Sequence, residues 1–180
     1  PYTRKKMGAE NHAGGKNRDT TADCTRSRSE NRMVKSVSEY VITYLKNFVD
    51  ESGANIDTIF TDILEGDPTN MALASSSSTV VKRYFYGDRK IEKNFSLFLL
   101  EYSGANIERK QNTAFVEKLE DWVNMQNNNA ILPYLGKNRV CTFIEAANGM
   151  LYEIDQDNKG TYLIQLKLIY IERRNENGQR

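Results

Sequence analysis

The sequence predicts an α+β domain: a mainly antiparallel sheet of five to six strands with two helices packed on one face. Three observations carry that expectation. Two stretches place apolar residues three and four apart, the spacing of one helix face. Several others alternate with period two, as half-buried strands do. Glycine, asparagine and aspartate punctuate the alternating stretches at hairpin distances. At 180 residues the chain is long enough to bury one substantial core.

Residues 34–50 read as an amphipathic helix. Val34, Val37, Val41, Tyr44, Leu45 and Phe48 fall on one face, with Lys35, Glu39 and Lys46 elsewhere on the wheel. Ser52-Gly53 supplies the stop. Ile59, Phe60, Ile63 and Leu64 predict a short strand, broken at Gly66-Asp67-Pro68. Residues 71–78 read as an extended strand entering a mobile loop at Ser75, Ser76, Ser77 and Ser78. Residues 80–86 and 90–102 predict a long hairpin about a two-residue turn, Gly87-Asp88, with glycine first. In its second arm Ile91, Lys93, Phe95, Leu97 and Leu99 share one face; Glu92, Asn94, Ser96, Phe98 and Leu100 share the other. Both faces turn apolar toward the end, which places this strand centrally.

Ser103-Gly104 ends that strand, and a second helix is predicted over residues 112–127, capped by Asn112 or Thr113. Phe115, Leu119, Trp122, Val123 and Gln126 form its inward stripe, and Glu117, Lys118, Glu120 and Asp121 face water. At that spacing Trp122 is a core anchor rather than a ligand platform. Residues 139–146 alternate as a strand, with Val140, Thr142 and Ile144 on one side. Asn148-Gly149 is the strongest hairpin signal in the chain, returning through residues 150–154, and residues 155–160 turn again. Residues 161–172 form the last long strand, with Tyr162, Ile164, Leu166, Leu168 and Tyr170 on one face and Gln165 and Lys167 on the other. The pentapeptide Ser-Gly-Ala-Asn-Ile occurs at 52–56 and 103–107 with unlike flanks, which marks a reused turn rather than a structural repeat.

Charge divides the chain unevenly. Residues 1–32 carry eight Lys and Arg against four acids; subtracting these from the totals of 25 and 24 leaves 17 bases and 20 acids for 33–180. The same 32 residues hold no Val, Ile, Leu, Phe or Trp, too little apolar surface to offset the entropy of ordering. They read as a disordered basic leader, either added or upstream in-frame sequence before a natural start at Met33 or a nucleic-acid arm. The domain is assigned to residues 33–174 and a polar tail to 175–180. No apolar run reaches spanning length and no signal peptide is present, which predicts a soluble protein with no membrane partner.

Chemistry finds little to work with. The one histidine is His12, inside the leader, so residues 33–180 offer no imidazole for a nucleophilic triad or for base-driven acetyl transfer. Cys24 and Cys141 make no disulfide framework, and Cys141, in a strand-like run, is a small core residue. Asp155 to Gly160 superficially resembles a calcium loop, but the twelfth position, which needs a bidentate glutamate, is Leu166. Glu117, Glu120 and Asp121 read as a solvated helix face, and the glycines of residues 8–15 lack the strand and helix of a phosphate loop. Lys82, Arg83, Lys90 and Lys93 cluster around the hairpin turn, to meet a phosphate or acidic neighbour or to keep the edge solvated. The expectation is no enzyme, with no catalytic, cofactor-binding or metal-binding residue and no cofactor; interface residues stay unassigned.

The order of segments carries a resemblance. Val80-Val81-Lys82-Arg83-Tyr84, continuing through Ile91-Glu92-Lys93-Asn94-Phe95-Ser96-Leu97, resembles the phage tail terminator family. So does the helix from Phe115 to Val123 with Gln126-Asn127 and Leu132-Pro133-Tyr134-Leu135. The ending, Asn148-Gly149-Met150-Leu151-Tyr152 with Tyr162 through Tyr170, completes it. Such proteins of tailed phages and prophages of Gram-positive bacteria are often called minor capsid proteins. The similarity spans residues 34–172 and is one of pattern and order; the leader and the serine run have no counterpart in it. It implies a virion protein of the tail and neck, assembled in the host cytoplasm. It implies a ring of like copies, usually a hexamer, that caps the tail tube, ends tube growth and offers a surface to head–tail connector proteins. DNA would pass the lumen without specific binding, since an acidic body repels phosphate. The alternatives are a head-completion or connector protein of the neck, or a nucleic-acid-binding protein that uses the leader.

Overall fold

The structure, a computed structural model, describes residues 35–64 and 68–174. The leader, the break at Gly66-Asp67 and the tail after Arg174 lie outside the described residues. Seven elements follow one another: α1 (Val37–Ser52), β1 (Thr58–Thr61), β2 (Asn70–Arg83), β3 (Arg89–Tyr102), α2 (Asn106–Asn128), β4 (Arg139–Ile154) and β5 (Lys159–Glu172). The strands form one five-stranded sheet in the order β1-β2-β3-β5-β4. Only the β1–β2 pair is parallel; the other three are antiparallel. The α+β expectation holds, with five strands and β3 central.

Both helices lie on one face because only that face is continuously apolar. Leu73 of β2, Leu97 of β3, and Ile164 and Leu168 of β5 lose all solvent contact, and Val41, Leu119 and Val123 of the helices close over them in one cluster. Each such side chain contributes roughly 1.5–3 kcal/mol by leaving water. Ser36 starts α1 through a capping box: its hydroxyl accepts from Glu39 N–H while the Glu39 carboxylate accepts from Ser36 N–H. The helix ends at Gly53, φ 64°. Its inward face is Val37, Val41, Tyr44, Leu45 and Phe48, as the periodicity predicts, together with Ile42.

Several local expectations need correcting. The four serines are not a loop: β2 continues through them to Arg83, with register shifts between Ser75 and Ser77 and between Val80 and Lys82, because β3 pairs with it on both sides of each. Ser76 and Ser96 hydroxyls stand 2.8 Å apart, and Asn94 Nδ2 donates to Ser77 Oγ at 3.0 Å. Ile63 is 63% exposed and lies beyond β1, which stops at Thr61. The β2–β3 turn is not a two-residue loop with glycine first. Tyr84 N–H donates to Asp88 carbonyl and Gly87 N–H to Tyr84 carbonyl, leaving a three-residue loop whose last residue, Gly87, takes φ 101°.

Helix α2 begins at Asn106, well before Asn112. Residues 106–111 show no apolar stripe, so periodicity is silent there, and polar tertiary bonds hold them instead. Ala105 N–H donates to Glu108 Oε2, Arg109 Nη1 to the carbonyls of Ser103 and Gly104, and Asn112 Nδ2 to Tyr102 carbonyl. Asn112 is therefore a brace to β3 and not a cap. The inward stripe holds, except that Val116 is buried and Phe115 packs from the rim.

The largest correction is in β4. Asn148-Gly149 makes no hairpin; β4 passes through it unbroken from Arg139 to Ile154, with a bulge between Ala147 and Met150. Asn148 does adopt the left-handed conformation, φ 59°, which is what its type suggested, but within a bulge. Glycine is needed next because α2 comes close: a Cβ on Gly149 would run into Val116 Cγ1 and crowd Glu120 Oε1 at 2.8 Å. A second bulge, between Cys141 and Phe143, puts Cys141 and Ile144 inward and leaves Val140 and Thr142 exposed, so those last two do not share Ile144's face. The turn of residues 155–158 forms as expected, with Asp155 N–H on Lys159 carbonyl at 2.9 Å.

Candidate functional site

The elements position two exposed strand edges and two concavities. The sheet has two outer strands, β2 beyond β1's reach and β4, and each ends in an exposed arm. β1 pairs with β2 only from Asn70 to Leu73, so residues 75–83 are the sheet's outer strand there, and all of them are exposed. That arm carries Val81 at 55% exposure and Tyr86 at 52%, and Phe85 at its tip has no cover at all. Lys82 Nζ lies 5.0 Å from the Tyr84 ring centroid, and Tyr84 and Tyr86 stack at 5.4 Å. Arg89 at its root is tied to Glu172, which also accepts from Arg139 Nε at 3.3 Å.

The β4 edge is treated differently along its length. Three side chains of α2, spaced four and three residues apart, sit over its backbone. Glu120 Oε1 accepts from Gly149 N–H at 2.6 Å; Asn124 accepts from Ala146 N–H and donates to its carbonyl; Asn127 Oδ1 accepts from Ile144 N–H. Each bond occupies a group that a neighbouring strand would otherwise use. Beyond Gly149 the strand stays paired with β5 but Met150, Leu151, Tyr152 and Ile154 are exposed, Tyr152 at 60%. Glu153, Asp155 and Asp157 accompany them. Asp155 Oδ1 accepts the N–H groups of Asp157 and Lys159 at 2.9 and 2.8 Å, which shapes the tip.

Two concavities complete the surface. On the sheet face away from the helices, Glu92, Asn94, Ser96, Glu145, Gln165 and Lys167 line an open depression of about 500 Å³. Lys167 Nζ stands 3.8 Å from Glu92 Oε2 within it. Between α1, α2 and residues 131–134 lies a groove of about 580 Å³ lined by Tyr40, Tyr44, Trp122, Pro133 and Tyr134. Trp122 is 8% exposed, the core anchor its spacing indicates, and its indole N–H donates to Glu51 Oε2 at 2.7 Å. Tyr44 Oη and Gln126 Oε1 are buried there without a protein hydrogen-bond partner, and burial holds the Tyr44 phenol well above its usual range.

The surroundings of the ionisable groups agree with this division. Burial lifts the Cys141 thiol to about 11, so it stays protonated at neutral pH and behaves as the small core residue expected. Of the basic cluster, Lys93 alone points to the core side of β3; burial, then Arg139, lowers its pKa. Lys82 and Arg83 are exposed and Lys90 half-exposed. The structure thus sets Lys82 and Lys90 side by side as cross-strand partners and turns Lys93 away from them. Reading Asn148-Gly149 as a turn hides the exposed end of β4; the signal for it is the run Met150-Leu151-Tyr152-Glu153-Ile154, too apolar for a return arm in water. Among the described residues no group of three or more His, Cys, Asp or Glu side chains is placed to hold a metal, and no helix is long and apolar enough to cross a membrane. No family model and no curated protein matches the chain.

Proposed function

We propose that the protein is a structural subunit of a phage tail, forming a ring that caps the tail tube, ends its growth and presents a surface to the head–tail connector. The observation that carries this is the pair of exposed stretches on opposite sides of one sheet, the outer run of β2 with its turn and the end of β4, each with exposed large apolar residues. Monomeric soluble proteins rarely leave contiguous apolar patches in water, and such patches mark surfaces meant for partners. A surface patch on one edge and a different one on the other suits head-to-tail repetition, which closes into a ring when the rotation between copies closes. The segment order that resembles tail terminators supports the same function, since the segments quoted for it include both arms. The α2 side chains over β4 fit a subunit that pairs selectively rather than along every free edge.

The test is negative-stain microscopy of the purified full chain, alone and mixed with tail tubes from a phage that encodes it. Closed rings of uniform diameter, seated at one tube end and halting further subunit addition, are the expected result. A chain that stays monomeric in both conditions, or decorates tubes along their sides, would overturn the proposal.

A further inference from the structure

We infer that the ring contact, on the proposed function above, is made between the two arms themselves: the basic aromatic arm of β2–β3 in one copy seats against the acidic apolar end of β4–β5 in the next. Charge is the first support. Residues 80–93 hold Lys82, Arg83, Arg89, Lys90 and Lys93 against Asp88 and Glu92. Residues 150–159 hold Glu153, Asp155 and Asp157 against Lys159. Arg89 is engaged by Glu172 within the chain, which leaves Lys82 and Arg83 as the cations exposed beside Phe85 and Tyr86. Aromatic side chains set beside arginine are the composition of interface anchors, and the facing surface offers Met150, Leu151, Tyr152 and Ile154.

Placement is the second support. The β2–β3 turn lies at the sheet end where Arg89 aligns with Glu172, and the β4–β5 turn at the end where Tyr102 aligns with Lys159. Those two registers are separated by the whole of β3, about 45 Å at strand rise. The arms thus occupy diagonal corners. A two-fold dimer made through one arm would bring Lys82 and Arg83 against their own copies, and like charges repel. A head-to-tail neighbour brings opposite charges together. Strand direction agrees: β2 runs parallel to β5 across β3, and β4 runs antiparallel to β5, so β2 of one copy meets β4 of a similarly oriented neighbour antiparallel. That is the form in which outer strands add to one another. The contact needs that neighbour shifted along the strands by about the length of β3, since without the shift Arg83 lies level with Arg139.

Charge reversal tests the contact. Two variants of the full chain are compared, Lys82→Glu with Arg83→Glu, and Glu153→Lys with Asp157→Lys, by light scattering on a sizing column and by thermal melting. All four positions are exposed, so unchanged melting is expected. Each variant is expected to weaken self-association about tenfold or more, and mixing the two is expected to restore it, since each reversed arm then finds its complement. As a second readout, Phe85→Cys mixed with Tyr152→Cys is expected to form a mixed disulfide, with neither variant crosslinking alone. Wild-type rings that survive both reversals unchanged, with no mixed crosslink, would sink this contact while leaving the ring function standing. A wild type that never assembles, even on tubes, would remove both.

Discussion

Glu101 shows how one side chain acts on stability. It lies on the same side of β3 as Leu97 and Leu99, and burial raises its carboxyl pKa. A carboxyl whose folded pKa lies above its unfolded value favours the fold while protonated. That contribution is complete below the unfolded value and is lost as pH rises through the folded one. At neutral pH the charged group therefore opposes folding. Glu101→Gln is expected to raise the urea midpoint at pH 7, with the gain over wild type shrinking as pH falls below the ordinary carboxylate range of about 4. Equal midpoint shifts at pH 7 and pH 3 would contradict this. Residue identity also accounts for the legible part of the core: Tyr162, Ile164, Leu166, Leu168 and Tyr170 alternate in sequence and are all buried. Asn148 illustrates the limit. Its left-handed φ was legible, but whether that bends a chain back or merely bulges it depends on what packs alongside.

At the scale of elements, α2 and β4 form one device. Asn124 bonds both the N–H and the carbonyl of Ala146, replacing a neighbouring strand with a side-chain amide. Asn124→Val is expected to leave both groups without partners and to cost about 1–3 kcal/mol in urea unfolding. It is also expected to increase aggregation on heating, because the uncovered edge can then pair with another chain. A variant with unchanged stability and scattering would show that the cap contributes nothing. This device was invisible in the sequence, where Glu120, Asn124 and Asn127 are ordinary polar positions on the outer side of an apolar stripe. The same holds for the first six residues of α2, Asn106 to Gln111, which lack periodicity and are held through Arg109 and Asn112 to the end of β3. Conversely, the stripe and the stop of α1 were legible because both are local, although the helix starts at Val37 behind Ser36 and the expected Val34 lies outside the described residues.

For the molecule as a whole, charge separates the leader from the body. With 17 bases and 20 acids, residues 33–180 carry a mild negative excess, and the depression on the helix-free face mixes Glu92 and Glu145 with Lys167. A body of this charge should not hold a polyanion, because phosphate binding scales with the cations offered to it. The 33–180 chain is expected to give no mobility shift of duplex DNA at physiological salt. Retention there would argue against a DNA-conducting lumen and for a nucleic-acid role seated in the body itself. The experiment bears on the proposed ring and its proposed lumen together, since no single residue decides it.

Periodicity and composition were enough to establish an α+β domain, its central strand and its two helices, because those features rest on short-range spacing of apolar side chains. Strand continuity through Ser75–Ser78 and through Asn148-Gly149, the early start of α2, and the capping of β4 required the assembled chain. Each depends on a partner far away in sequence, such as β3 beside the serines or Val116 and Glu120 against Gly149, and spacing along one segment carries no information about that partner. The diagonal placement of the two charged arms belongs with them: their compositions are written locally, but sheet order alone puts them on opposite corners.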